Sequence, residues 1–362
     1  MVRIRSSDRL GWLVLALVVA TAAAADEPAK WLERMNKALT TLNYDGTYSH
    51  WHGGRVETLR IIHRVQDGKV SERLVSLDGS GREFIRTGGD VTCYFPDQRR
   101  VVVEPRPSEE SLFGIFPALT GQTASSYEIK DGARTRISGR ATREIVVNPK
   151  DEFRYGYRLW IDESTAMPVK TQLCDAHGNV IEQVVFSSLT RKSHIPDSAF
   201  KPDVATDGFQ WVRTELPATK ENVASQSIVW DTLKMPPGFK MRARSSQVLP
   251  GSSGPVDHVV LTDGMASVSV FVESQPKALP GQQISGAEAA TVGSSSVYTT
   301  VGDGRKVTAV GEVPLATVRA IADSFQAQNT QPSPPATIPH PSLPSQAAMG
   351  PAPTPVMGGG RR

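Results

Sequence analysis

The sequence has 362 residues, a length that favours two domains over one. Hydrophobic residues make up 39% of the chain and charged residues 21%, which is typical of globular domains with polar segments attached. The 40 Lys and Arg against 37 Asp and Glu give a formal net charge of +3, and this near balance argues against a nucleic-acid-binding protein, which would carry a strongly basic face.

The N-terminus has the pattern of a secretory signal peptide over residues 1–25. Arg3, Arg5 and Arg9 precede an uncharged stretch of 16 residues, Leu10–Ala25, which ends in four alanines. A membrane-spanning helix needs roughly 20 apolar residues, so a cleaved signal is favoured over a retained anchor. Cleavage removes three Arg and one Asp, which leaves 37 basic and 36 acidic residues. We therefore expect a mature protein that is soluble outside the cytoplasm.

Residues 27–42 show helical periodicity, and the chain from Tyr44 to Leu189 shows the alternation of strands. The apolar face of the helix consists of Trp31, Met35, Ala38, Leu39 and Leu42. Turn dipeptides separate the strands, namely Asp67-Gly68, Asp78-Gly79, Gly88-Gly89, Asp131-Gly132 and Gly178-Asn179. Successive hairpins without intervening helices predict an antiparallel meander whose concave side the helix covers. We therefore predict an α+β protein whose residues 26–200 form a half-open antiparallel β-barrel with helices.

Residues 108–119 depart from the strand pattern. They begin with a capping pattern at Ser108 and continue with closely spaced apolar side chains. One interpretation is a plug that fills the open side of the sheet, and the other is a lid over an apolar ligand pocket; both can hold. The lid interpretation makes four of its residues candidates for lipid binding: Leu112, Phe113, Ile115 and Phe116.

The second half of the chain divides into three parts. Residues 201–222 are polar, contain two prolines and are predicted to be a linker. Residues 223–328 carry alternating strands and a final helix that begins near Pro314, a pattern that predicts a smaller C-terminal α+β domain. Residues 329–362 are rich in Pro, Ser, Ala and Gly, and this composition predicts a disordered tail.

The two cysteines, Cys93 and Cys174, both remain after signal cleavage. In an oxidising compartment they are candidates for a disulfide. The bridge would close a loop of 81 residues and would stabilise the fold by up to about 4 kcal/mol. The equal alternative is a pair of buried free thiols, because the sequence does not place the two Cα atoms within bridging distance.

Catalytic and metal-binding signatures are missing from the sequence. It contains no G-x-S-x-G, H-E-x-x-H, C-x-x-C, Walker or G-x-G-x-x-G motif, and this disfavours an enzyme. His50 and His52 lie two residues apart on a predicted strand and so share a face, as metal ligands can. A further ligand such as His63 would be needed, and a polar face near a loop is the simpler interpretation. We predict no catalytic residues, no metal and no cofactor.

Several stretches resemble the RseB/MucB family, and they occur in family order over residues 28–327. In the first unit they are L-R-I-I-H-R from Leu59, E-R-L-V-S-L-D-G-S-G-R-E-F-I-R from Glu72, Y-R-L-W-I-D from Tyr157 and M-P-V-K-T-Q-L from Met167. In the second unit they are P-G-F from Pro237, T-D-G-M-A-S-V-S-V-F-V-E from Thr262 and V-T-A-V-G-E-V-P from Val307. The sequence is therefore similar to periplasmic negative regulators of the sigma-E-type envelope stress pathway.

The resemblance implies a large domain like the lipoprotein carriers LolA and LolB and a smaller C-terminal domain. It implies binding to the periplasmic domain of a membrane anti-sigma factor of the RseA/MucA type, which is thereby shielded from proteolysis. It also implies release by lipopolysaccharide or another acylated lipid. An apolar hollow would suit acyl chains, and nearby arginines would suit lipid phosphates. The candidates are Arg82, Arg86, Arg99 and Arg100, for each of which the alternative is an ordinary solvated strand charge.

Two other functions remain open. A periplasmic carrier of lipids or lipoproteins without a regulatory partner would need only the first domain, so the second domain argues against it. A hydrolase would need a nucleophile that nothing in the sequence singles out. The family motifs are mainly structural and transfer no partner-contact residues, and they leave open whether the protein forms a homo-oligomer.

Overall fold

The computed structural model describes residues 27–106, 112, 125–214, 235–248, 252, 254–274, 286–302 and 304–327. Within these residues the chain forms two separate sheets, each packed against one α-helix. No helix in these ranges is long and apolar enough to cross a membrane.

The larger domain begins with helix α1, Glu27–Thr41, and continues as a sheet of twelve described strands. These are β1 Tyr44–His52, β2 Arg55–Gln66, β3 Lys69–Ser76, β4 Glu83–Thr87, β5 Asp90–Phe95, β6 Arg100–Pro105, β7 Tyr127–Ile137, β8 Arg140–Pro149, β9 Gly156–Asp162, β10 Pro168–Cys174, β11 Val180–Arg191 and β12 Gln210–Arg213. Their order is β12-β6-β5-β4-β3-β2-β1-β11-β10-β9-β8-β7. Only β12 runs parallel to its neighbour, β6, among these pairs. Two meanders therefore join where β11 returns to β1.

Helix α1 covers one face of this sheet, which is called the inner face below. Trp31, Leu32 and Met35 are buried there in the same apolar cluster as Phe186. Close packing on this face also requires Gly46 on β1, because a Cβ at that position would lie 2.7 Å from the Phe186 ring. The predicted packing of the N-terminal helix against the sheet is confirmed.

The opposite, outer face is covered by the segment that follows β11. Ile195 and Phe200 of this segment join Ile62 and Ile85 in a second apolar cluster. Each face of the sheet thus has its own cover, and this explains why strands such as β2 bury side chains on both sides.

A buried ion pair fastens the segment to the outer face. The Glu83 carboxylate accepts a hydrogen bond from Arg73 Nε at 2.9 Å and from the backbone N–H groups of Asp203 at 2.9 Å and Val204 at 3.2 Å. Arg73 and Glu83 are 5% and 1% exposed, so each offsets the desolvation of the other.

The smaller domain packs one helix against a six-stranded sheet. Its elements are β13 Lys240–Val248, β14 Pro255–Thr262, β15 Ser267–Ser274, β16 Gly286–Val292, β17 Ser295–Gly302, β18 Arg305–Gly311 and helix α2 Leu315–Ala327. The strand order is β13-β14-β15-β18-β17-β16, and all described pairs are antiparallel. Val318, Ile321 and Phe325 of α2 are buried against the sheet. The predicted class, an α+β protein with a half-open antiparallel sheet and a smaller α+β domain, is confirmed.

Four of the five turn dipeptides connect neighbouring strands, but the prediction of a turn at Asp131-Gly132 is wrong. These residues lie inside β7, where the pairing with β8 shifts between Asp131 and Arg134. Glycine is needed at position 132 because the Glu144 carboxylate lies close to the backbone there, and a Cβ on Gly132 would lie 2.5 Å from it. The Ala133 N–H donates to that carboxylate at 3.2 Å, so the irregularity is a β-bulge around a polar contact.

One further feature differs from expectation, and a second decides an alternative that the sequence left open. The predicted linker, residues 201–222, includes strand β12, whose residues Gln210–Arg213 pair with β6 and so belong to the larger sheet. Cys93 and Cys174 are buried free thiols rather than a disulfide. They lie on β5 and β10, which five other strands separate in the sheet order. Burial raises the pKa of the Cys93 thiol to about 11, so this thiol is inert rather than nucleophilic.

Several predictions concern residues outside the described ranges. These are the signal peptide at residues 1–25, the tail at residues 329–362 and all but Leu112 of the segment at residues 108–119. Phe113, Ile115 and Phe116 therefore remain candidates by sequence alone.

We expect Glu83→Ala to lower the unfolding free energy of the larger domain by about 3 kcal/mol, because it leaves the buried Arg73 with only the exposed Asp203 carboxylate as its counter-ion. The midpoint of urea-induced unfolding measures this loss. Glu128→Ala is the matched control, since its ion pair with Lys130 has both side chains about half exposed and should contribute under about 1 kcal/mol. Equal unfolding midpoints for the two variants would contradict a stabilising role for the Arg73–Glu83 ion pair.

Candidate functional site at the seam between the two domains

Three turns of the small domain surround the residues that precede β9. The turns are residues 235–239 ahead of β13, residues 263–266 between β14 and β15, and residues 312–314 between β18 and α2. Together with residues 151–155 of the large domain they form what is called the Arg154 contact below.

Arg154 is the centre of this contact, and its side chain is fully buried. Its Nε donates a hydrogen bond to Asp263 Oδ2 at 2.6 Å, and its terminal nitrogens donate to the Asp151 carboxylate and the Pro237 carbonyl. The guanidinium carbon lies 5.3 Å from the centroid of the Phe239 ring. Because a guanidinium presents a planar fork of donors, this one side chain binds groups of both domains at once.

The residues on either side of Arg154 also bind the small domain. The Thr317 hydroxyl donates to the Phe153 carbonyl at 2.7 Å, and the Tyr155 hydroxyl donates to the Val313 carbonyl at 3.2 Å. Three consecutive residues therefore each make a hydrogen bond across the seam. Since they run directly into β9, the larger sheet fixes their position.

The conformations of two turns in the small domain position the groups that contact Arg154. Asp263 Oδ1 accepts the backbone N–H groups of Met265 at 2.9 Å and Ala266 at 2.8 Å, so Oδ2 is aimed at the guanidinium. Gly238 has a φ of +84°, and a Cβ there would lie 3.0 Å from Arg154 Nη2. Both the backbone conformation and the close approach require glycine at this position.

A second contact, called the histidine patch below, consists of His50, His52, Glu182, Ser294 and Glu312. His50 Nε2 lies 2.6 Å from Glu182 Oε1, and the rings of His50 and His52 stack with centroids 5.1 Å apart. The Ser294 side chain lies near enough to the Glu182 carboxylate to help lower its pKa. The patch therefore connects the end of β1 to the turn between β16 and β17.

The two carboxylates of the histidine patch have opposite pKa shifts. Burial acts to raise the pKa of Glu182, but the hydrogen bond from His50, the electrostatic attraction of His50 and His52 and the Ser294 side chain together outweigh burial and lower it. Burial, together with the charge of Glu182, raises the pKa of Glu312. Ionised Glu182 therefore stabilises the folded seam above its ordinary pKa, and this contribution is lost as the pH falls through the lowered value. Ionised Glu312 opposes the seam until the pH falls through its raised pKa.

Metal binding finds no support in this geometry. Among the described residues, no group of three or more His, Cys, Asp and Glu side chains is arranged to hold a metal ion. His63 does not join the histidine patch, because it stacks on Tyr44 and its Nδ1 lies 2.9 Å from the Leu42 carbonyl.

A row of buried polar side chains crosses the inner face beneath Leu112. The strand register places His63, Glu72 and Arg86 side by side on β2, β3 and β4. Arg86 Nε lies 3.6 Å from one Glu72 oxygen, and the same oxygen accepts the Leu112 N–H at 2.7 Å. Glu72 thus anchors the described residue of the 108–119 segment to the inner face.

The four candidate arginines do not form one group. Arg86 is buried beside Glu72, whereas Arg82 is half exposed and donates to Glu57 Oε1 at 2.6 Å. The register places Arg82, Arg99 and Arg100 at the same end of neighbouring strands β4, β5 and β6. Sequence alone could not separate buried Arg86 from the others, because its partner is 14 residues away on another strand.

A cavity of about 340 Å³ opens beside the Arg154 contact. Its lining includes Asp151, Tyr157, Arg158, Cys174 and Asp175. Charged residues contribute to this lining, among them Asp151, Arg158 and Asp175, and we keep the inner face as the candidate lipid surface.

Sequence reasoning missed the Arg154 contact, although its signals were present. The small-domain stretches P-G-F, T-D-G-M-A and G-E-V-P all lie in turns that meet around Arg154 or directly beside it. An arginine that precedes an apolar strand, between two aromatic residues, is the matching signal in the large domain. The sequence does not show that Arg154 and Asp263, which are 109 residues apart in the chain, come into contact in the fold.

We expect Arg154→Ala to loosen the docking of the two domains, because it leaves Asp263 buried without its cation, at a cost of about 3–5 kcal/mol. Small-angle scattering should show a larger radius of gyration, and limited proteolysis should be faster. Arg158→Ala is the matched control, since Arg158 is exposed and pairs only with Glu144 of its own domain in the described contacts. Wild-type scattering and proteolysis of Arg154→Ala would refute the role of this contact.

Both domains match models of a known protein family. The family model of the MucB/RseB N-terminal domain matches residues 27–204, and that of the MucB/RseB C-terminal domain matches residues 224–326. The sigma factor AlgU regulatory protein MucB of Pseudomonas aeruginosa is 29% identical over 315 residues, which cover 87% of this chain and 95% of that protein. The sigma-E factor regulatory protein RseB of Escherichia coli K12 is 25% identical over 324 residues, which cover 87% and 97%.

Solved structures agree with the sequence matches. The complex of Pseudomonas aeruginosa MucA and MucB aligns with a TM-score of 0.63 at 27% identity, covering 82% of this chain and 97% of that one. MucB in complex with MucA(peri) aligns with a TM-score of 0.62 at 28% identity, covering 81% and 96%. The two matched domain ranges span more than three quarters of the chain. The chain therefore belongs to the MucB/RseB family of sigma-factor regulatory proteins, which are regulatory binding proteins rather than enzymes.

Proposed function

We propose that the protein is a periplasmic regulator that binds the periplasmic domain of a membrane anti-sigma factor of the RseA/MucA type. Binding shields that domain from proteolysis, and lipopolysaccharide or another acylated lipid releases it. The single observation that carries the proposal is family membership over both domains, together with structures of a relative solved in complex with MucA.

The architecture supports a protein that holds a polypeptide rather than one that only carries lipid. A second, separately folded domain is attached through a buried polar seam, and a carrier has no evident need for it. Two domains joined by few contacts can change their relative position at moderate free-energy cost, so a ligand that prefers one position can release a partner that prefers another.

The inner face supports the lipid part of the proposal. Glu72 on β3 accepts a hydrogen bond from the backbone N–H of Leu112. This contact holds Leu112, a residue of the predicted lid 108–119, over the inner face. An acyl chain that entered beneath the lid would have to displace this contact. Apolar burial at about 25 cal/mol per Å² would supply the affinity.

Calorimetric titration of residues 26–362 with the periplasmic domain of the host's anti-sigma factor tests the proposal. We expect tight binding that becomes at least about tenfold weaker when lipopolysaccharide is present, because linkage requires the lipid to oppose the partner by the same factor. A folded protein that does not bind the partner domain without lipid would contradict the regulator and favour a carrier of lipids or lipoproteins.

A variant separates the lipid site from the partner site. We expect Leu112→Asp to keep the affinity for the partner domain but to lose the effect of lipopolysaccharide, since a carboxylate beneath the lid disfavours an acyl chain. Leu77→Asp is the matched control, because Leu77 is 51% exposed at the end of β3. An unchanged lipid effect in Leu112→Asp would exclude this part of the inner face.

A further inference from the structure

The two sheets have four edge strands among the described elements, and three of them carry features that block the addition of another strand. Strand β12 is only four residues long. Strand β7 has the bulge after Asp131, and strand β13 has a register shift between Met241 and Ala243. Short length, bulges and charged side chains are the means by which proteins protect sheet edges from unwanted pairing.

Charge distinguishes the edges further. Five charged residues lie on β7 and three basic residues on β13. They are Glu128, Lys130, Asp131, Arg134 and Arg136 on β7, and Lys240, Arg242 and Arg244 on β13.

Strand β16 has none of these protections apart from one carboxylate. Its sequence, G-A-E-A-A-T-V, contains small side chains and the single charge of Glu288. All seven of its residues are exposed, and its pairing with β17 has no irregularity. A regular, exposed edge of this length with small side chains lets another backbone approach along its whole course.

The register identifies which backbone groups face the open side. Val292 and Ser295 flank a two-residue turn whose first residue, Gly293, has a φ of +60°. In such a hairpin the two flanking residues, Val292 and Ser295, donate a backbone hydrogen bond to each other and accept one in return. The same holds for every second pair of facing residues along the two strands. The N–H and C=O groups of Ala287, Ala289 and Thr291 therefore point away from β17, toward the open edge.

The far end of this edge lies at the seam. A Cβ on Gly293 would lie 3.3 Å from His52 Nδ1 and 3.6 Å from the Gly53 nitrogen of the large domain. Ser294 of the same turn lies near Glu182 of the large domain and helps to lower the pKa of that carboxylate. A strand added to β16 would thus end against the large domain and would sense the relative position of the two domains.

We propose that β16 binds an extended segment of the partner's periplasmic domain by strand addition. The proposal rests on the function proposed above and names where the partner polypeptide sits. Backbone hydrogen bonds to Ala287, Ala289 and Thr291 supply the affinity, and Glu288 selects a segment with a basic residue at the facing position. A relative has been solved in complex with MucA, and this favours the partner polypeptide over a second copy of the chain as the occupant.

The test compares Ala289→Pro with the matched control Ala289→Ser in residues 26–362. Proline removes the outward N–H at this position without removing a hydrogen bond to β17, whereas serine keeps the N–H. We expect Ala289→Pro to weaken binding of the anti-sigma periplasmic domain at least about tenfold with an unchanged melting temperature, and Ala289→Ser to bind as the wild type does.

A second variant and a second readout keep the test decisive if proline disturbs the fold. Glu288→Lys, a substitution of an exposed residue, should also weaken binding, and the amides of Ala287, Ala289 and Thr291 should exchange more slowly once the partner is bound. Equal affinity of Ala289→Pro and wild type, or unchanged amide exchange, would overturn the proposal while leaving the regulator function intact. Failure of the wild type to bind would overturn both.

The remaining outcomes identify other occupants and would also overturn the proposal. If the wild type is a dimer that Ala289→Pro converts to a monomer with full partner affinity, the edge pairs with a second copy. If the three amides are already protected in the free monomer, another segment of the same chain covers the edge.

Discussion

The arrangement of the two domains depends on one buried cation. The Arg154 side chain is fully buried, so its charge must be satisfied by Asp151 of its own domain and by Asp263 and the Pro237 carbonyl of the other. This requirement is directional, because the guanidinium donors lie in one plane. The histidine patch adds a second contact between the domains, where Gly293 lies against His52 and Gly53.

Much of the fold could be predicted because its signals are local. The apolar face of α1 and four of the five turn dipeptides depend on residues a few positions apart, where periodicity and glycine conformation decide the outcome. The turn predicted at Asp131-Gly132 failed because that glycine accommodates the Glu144 carboxylate, a residue on the neighbouring strand. Strand β12 was missed for a similar reason, since four residues pair only because the edge of β6 is close by.

The site could be predicted only in part. Family motifs were recognised, but their role at the seam depends on contacts such as Arg154 with Asp263, which lie 109 residues apart. The candidate arginines show the same limit: charge alone could not reveal that Arg86 lies buried in a row with Glu72 and His63. An edge strand is likewise invisible in sequence, because exposure of β16 follows from the order of the strands rather than from its composition.

A double-mutant cycle between Arg154→Met and Asp263→Asn tests most directly whether this pair couples the domains. The free energy of unfolding is measured for the wild type, both single variants and the double variant of residues 26–362. The structure predicts an interaction energy of at least about 1.5 kcal/mol, because the two charges are buried and in direct contact. Strictly additive effects of the two substitutions would contradict the view that this ion pair holds the domains together.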